Sequence, residues 1–162
     1  MIAVPIQITD FHVDLVRGFL SGEHERITPM LEAIRVDEVE GTGVLLYAAF
    51  VEAVHRRFTG SPRSDIIRFV ADVRIRHESA PVPDEDVIRA GGIPCPIKQA
   101  SAETLIIDAL SGRNPEGLTD LEKGQRIPLL AELIEEVQLS GEALGSFLAV
   151  ARGYAERIAA NL

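Results

Sequence analysis

Apolar residues in this chain return every three or four positions far more often than every two, the spacing that lines one face of an α-helix. Phe11, Leu15 and Phe19 share a face behind Thr9 and Asp10, whose side-chain oxygens suit the open amides of a first turn. They predict a helix to about Leu20, stopped by Ser21-Gly22. Thr28 as a cap, with Pro29 in the first helical position, predicts a short second helix presenting Met30, Leu31 and Ile34. A third begins near Thr42, and its stretch from Val44 to Phe58 is apolar on nearly every side, which places it at the centre of the fold. Gly60-Ser61-Pro62 then turns the chain into a fourth helix striped by Ile66, Phe69, Val70 and Val73, so that the two form a hairpin.

The second half reads the same way after an interruption. Residues 79–100 are rich in proline and carry Gly91-Gly92, which predicts a long irregular loop with room for one helical turn at Asp84 to Ala90. Ser101 is placed to cap a helix containing Leu105, Ile106, Ala109 and Leu110, which stops at Ser111-Gly112. Thr119 and Glu122 form a capping box, and Gly124 with Pro128 predicts a kink or break soon after it. Leu129, Leu130, Leu133, Ile134 and Val137 continue the pattern, and a last helix after Ser140-Gly141 carries Leu144, Phe147, Leu148, Ala151, Tyr154 and Ile158. Only Ile2 to Ile8 alternates like a strand; Pro5 removes a ladder donor and no partner strand follows, so the first eight residues read as an extended arm. The expectation is an all-α fold: one helical domain over residues 1–162, a bundle of about six to eight helices with that short arm.

Composition sharpens this picture. Apolar residues make up 46% of the 162 but aromatics only 5%, with no Trp, so Leu, Ile, Val and Ala must fill the core. A net charge of -9 opposes phosphate backbones and speaks against a nucleic-acid partner. The single Cys95 cannot form an internal disulfide, and the first twenty residues lack the charged start and apolar run of a secretory signal, which points to the cytoplasm. The longest apolar run, Val44 to Val51, is far shorter than the roughly twenty residues that span a bilayer, so no membrane is expected.

Candidate chemistry is sparse. His12, His24, His55 and His77 lie far apart with no ligand spacing, which argues against a metal; His55 and His77, with Glu52 and Glu78 near them, are the one pair a tight hairpin would bring to the same end. Cys95 sits among prolines without a positioned base, Gly41-Thr42-Gly43 lacks the strand and lysine of a phosphate loop and reads as a helix start, and Glu135-Glu136 reads as a solvated face. No catalytic residue and no cofactor follow. The informative feature is charge segregation: Arg56, Arg57, Arg63, Arg68, Arg74 and Arg76 crowd the hairpin, opposed there only by Asp65 and Asp72. Arg68 with Asp72, and Asp72 with Arg76, have the spacing of ordinary helix-surface pairs. Arg56, Arg57, Arg63 and Arg74 are left either to pair with acidic helices such as Glu132 to Glu136 or to meet an acidic partner.

The stretch Leu45 to Arg76, with His55-Arg56-Arg57-Phe58 ending one helix and Asp65 to Arg74 filling the next, resembles a family of small all-helical actinobacterial proteins. Ser140 to Arg152, with Leu144, Phe147 and Leu148, is similar too. The resemblance implies a helical fold and carries over no activity and no functional residue; fourteen arginines against Lys98 and Lys123 agree with such a GC-rich lineage. The functional expectation is a non-catalytic regulatory or accessory module acting through protein–protein interaction or self-association, with Arg56, Arg57, Arg63 and Arg74 as its partner-binding surface. The alternatives are an enzyme or small-ligand binder with a pocket between helices, and a nucleic-acid-associated regulator using the arginine hairpin.

Overall fold

A computed structural model of the chain describes residues 5–79, 97–113 and 117–161. Among them the chain is all-α, with no strand: α1 (Asp10–Leu20), α2 (His24–Glu32), α3 (Val36–Phe58), α4 (Arg63–Ser79), α5 (Gln99–Ser111), α6 (Asp120–Lys123), α7 (Arg126–Glu136) and α8 (Gly141–Ala160). The chain folds as two compact units, one from residues 1–49 and 138–162, the other from residues 50–137. α3 supplies its first part to one unit and its last to the other. The helical turn expected at Asp84 to Ala90, and Cys95 with it, lie outside the described residues. No helix among the described residues is long and apolar enough to cross a membrane.

In the first unit α1 packs on α2 and α8. Leu15 and Val16 of α1 are buried, and Gly18 sits so close to the Ile27 side chain that a Cβ there would clash. That contact explains why α2 starts at His24, four residues before the expected cap. Ile27 must be helical to reach Gly18, so Thr28 lies inside the helix and returns its hydroxyl to the His24 carbonyl at 2.6 Å, with Pro29 next to it in the interior. In α8 the buried stripe is Leu144, Phe147, Leu148, Ala151, Ala155 and Ala159. Tyr154 and Ile158, expected in that stripe, are half-buried at its border. Residues 5–8 form neither strand nor helix; Arg152 ties them down, donating to the Ile8 carbonyl at 3.1 Å and to the Asp10 carboxylate at 2.7 Å. The Asp10 hydrogen bond holds the Arg152 guanidinium above its ordinary range.

α3 begins at Val36, six residues ahead of its expected start, and Gly41-Thr42-Gly43 lies within it. Its first turn is closed by Glu38, whose carboxylate accepts the Arg35 backbone N–H at 3.1 Å, while Asp37 and Glu38 face the positive end of the helix dipole. Two glycines in the second turn weaken helix propensity, which hid this start in the sequence. Gly41 is there for the buried His12 ring, which lies directly against its Cα. Thr9 donates its backbone N–H to His12 Nδ1 at 2.9 Å, so the imidazole closes the first turn of α1 as a capping partner; Nε2 is buried with no hydrogen-bond partner.

In the second unit the last turns of α3 bury Phe50, Val54 and Phe58, and the connection at 59–62 brings α4 back so that the Phe58 and Phe69 rings meet edge to face at 5.4 Å. Ile66, Phe69, Val70 and Val73 of α4 are buried as the stripe predicts, and α4 packs on α5. α5 starts at Gln99, so Ser101 is a buried helix-interior residue and not its cap. α5 stops at Gly112 in the left-handed region (φ 67°), as the sequence predicts. The Thr119–Glu122 capping box is formed; the Thr119 backbone N–H holds the Glu122 carboxyl below its usual range. The break falls at Gly124-Gln125, which leaves Pro128 in the first turn of α7, where its missing N–H costs nothing.

Two experiments test this packing. Phe50 is fully buried, so Phe50→Ala should lower stability by about 3–5 kcal/mol in urea titrations; a loss below about 1 kcal/mol would contradict its position. Gly41→Ala and Gly43→Ala, two residues apart on one helix, should differ in sign. A Cβ on Gly43 meets nothing and should stabilise by about 0.4–1 kcal/mol, whereas one on Gly41 collides with the His12 ring and should cost about 1–3 kcal/mol.

Candidate interaction surface

The arginine-rich hairpin owes part of its charge to helix electrostatics. His55, Arg56 and Arg57 form the last turn of α3, and Arg76 and His77 lie in the last turn of α4, where cations face the negative ends of the dipoles. Carboxylates within the same unit then take up several of these cations. Arg56 Nε meets Glu52 Oε1 one turn back at 2.7 Å. Arg57 Nε reaches Glu136 Oε1 on α7 at 2.8 Å, with its guanidinium 4.8 Å from the Phe58 ring centroid. Arg76, expected to pair with Asp72, turns to Glu132 Oε2 at 2.8 Å. Arg74 donates to Gln99 Oε1 at 3.2 Å. Arg63, at the start of α4, is exposed and has no hydrogen bond or ion pair with a described residue.

Between α4 and α7 these pairs border a groove of about 570 Å³. Phe69 is its apolar element; Asp65, Arg68 and Asp72 line it from α4, and Glu132, Glu135 and Glu136 from α7. Among the described residues, Arg68 and Asp72 form no ion pair, with each other or with any other group, although their four-residue spacing permits one. The outer face of α4 also exposes Ile67 (43%) and Ile75 (62%). Around the helix, Ser64, Arg68, Ala71 and Ile75 form its outermost ridge, with Arg63, Ile67 and Arg74 on one flank and Asp65 and Asp72 on the other.

The structure separates His55 and His77, which a tight hairpin could have brought to the same end. His55 lies beside the connection at 59–62, whereas His77 is fourteen residues beyond Arg63, about 21 Å along α4 at the helical rise. His77 Nε2 instead approaches Glu132 Oε1 at 3.4 Å, and Glu52 is engaged by Arg56. No group of three or more His, Cys, Asp or Glu with metal-holding geometry occurs among the described residues.

Sequence reasoning missed the most buried polar side chain of this unit, Gln125. Its Oε1 accepts the Lys98 backbone N–H at 2.8 Å, and its Nε2 donates to Ser101 Oγ at 2.7 Å and to the Glu122 carbonyl at 2.9 Å. One amide thus satisfies the start of α5 and the end of α6, and no local pattern announces a residue whose partners lie 24 and 27 positions away. Gln125→Leu should cost about 1–3 kcal/mol in chemical denaturation, because it strands two buried polar groups; a neutral result would mean that water replaces the amide. No family model, curated protein or solved structure matches the chain.

Proposed function

We propose that the protein is a non-catalytic binding module that engages another protein through the outer face of α4. The observation that carries this reading is the state of that face. Ile67 and Ile75 are exposed there, and Arg68 and Asp72 lie beside them with no ion pair among the described residues. Arg63 and Arg74 flank the same ridge, and Arg56 and Arg57 stand near its start. The exposed pairs of Arg56 with Glu52 and Arg57 with Glu136 are worth about 0–1 kcal/mol each, so a partner can exchange them at little cost. A charged face of this kind steers encounter and rejects wrong partners more than it adds affinity.

The adjoining groove fits an enzyme less well. Small-molecule sites are concave and mostly apolar with a few converging polar groups, and this groove has charges of both signs and only Phe69 as an apolar wall. The net charge of -9 speaks against a nucleic acid for the same surface. Work in the cytoplasm, and an actinobacterial source, belong to this proposal and rest on cysteine and arginine usage.

A photo-crosslinking amino acid in place of Ile67 tests the reading, with the same substitution at the exposed Val150 of α8 as its control. Irradiation in cells should give a discrete protein adduct from position 67 and none from 150. Free chain alone from both positions would mean that α4 faces only solvent.

A further inference from the structure

The charges left over on α4 have an order that identifies one partner. Arg68 and Asp72 are oppositely charged, exposed and unpaired among the described residues, and each lies two residues from position 70. A two-fold axis at that level, relating two antiparallel copies of α4, sets Arg68 of each copy across from Asp72 of the other. The same surface then serves both sides of the contact, as an isologous dimer requires. Ala71, next to Asp72 on the outer ridge, has no side chain beyond Cβ and leaves room for the long Arg68 side chain of the other copy. Like charges do not meet: Asp65, five residues from the axis, falls opposite Ile75 of the other copy.

We infer that the partner for this face is a second copy of the chain, docked helix to helix through α4 with two reciprocal Arg68–Asp72 pairs. This rests on α4 being the binding face, as proposed above, and adds the identity of the occupant. Arg68 and Asp72 both line the groove, so the docked copy lies along its α4 edge. One helix face is small for an interface, so the dimer is weak and concentration-dependent and loosens as salt rises.

Sedimentation velocity over a range of concentrations tests this. The wild type should rise from the 17.6 kDa of one chain toward twice that mass. Arg68→Glu alone and Asp72→Arg alone should each stay at the mass of one chain, because like charges then face each other across the axis. An equimolar mixture of the two variants should regain the heavier species. In the mixed dimer the introduced carboxylate of one variant faces the introduced guanidinium of the other, and the remaining Arg68 faces the remaining Asp72. This recovery also shows that both variants are folded. A wild type of one-chain mass at every concentration overturns the inference, as does a dimer indifferent to both single reversals or a mixture that does not recover. If the crosslink from position 67 is to a different protein while the purified chain stays monomeric, this inference falls and the binding-face reading stands. If neither adduct nor dimer forms, both fall.

Discussion

Leu45, Ala48, Ala49, Phe50 and Val54 are fully buried along the middle of the 23-residue α3, so most of its surface there must be covered. That burial governs what the other helices can be. With few aromatics available, the covering is done by small and branched side chains at close range. Close range has consequences for sequence. Gly41 exists where the His12 ring crosses α3, Gly18 where Ile27 enters, and the alanines of α8 where its buried stripe needs short side chains.

The same closeness determines where polar groups can be. His12 and Gln125 are buried, and each completes a helix end. His12 accepts the Thr9 N–H at the start of α1, and Gln125 accepts the Lys98 N–H at the start of α5. Both are buried polar residues spent on helix termini.

Charge follows a comparable logic. In a chain with net charge -9, the basic hairpin is first a consequence of helix ends, with His55, Arg56 and Arg57 closing α3 and Arg76 and His77 in the last turn of α4. Glu52, Glu132 and Glu136 then neutralise much of it within the same unit. Among the described residues, what reaches the surface of α4 without an ion pair includes Arg68 and Asp72, one turn apart and of opposite sign.

The helical class, the burial of α3, the hairpin at 59–62, the Gly112 stop, the Thr119 capping box and the break before Pro128 were all legible in the sequence. Each depends on residues within one or two turns of each other, where spacing and backbone stereochemistry decide. The starts of α2, α3 and α5 were not legible, because Ile27, Gly41 and Ser101 take their positions from Gly18, His12 and Gln125, which are distant in the chain. The candidate site divided in the same way. Sequence alone placed the arginines on two helices and showed which spacings permit pairing; only the tertiary structure decided that Arg76 turns from Asp72 to Glu132 and that Arg57 finds Glu136. A side chain at the surface of a helix has several partners within reach, and the choice among them is made by the neighbouring helix that the fold brings alongside.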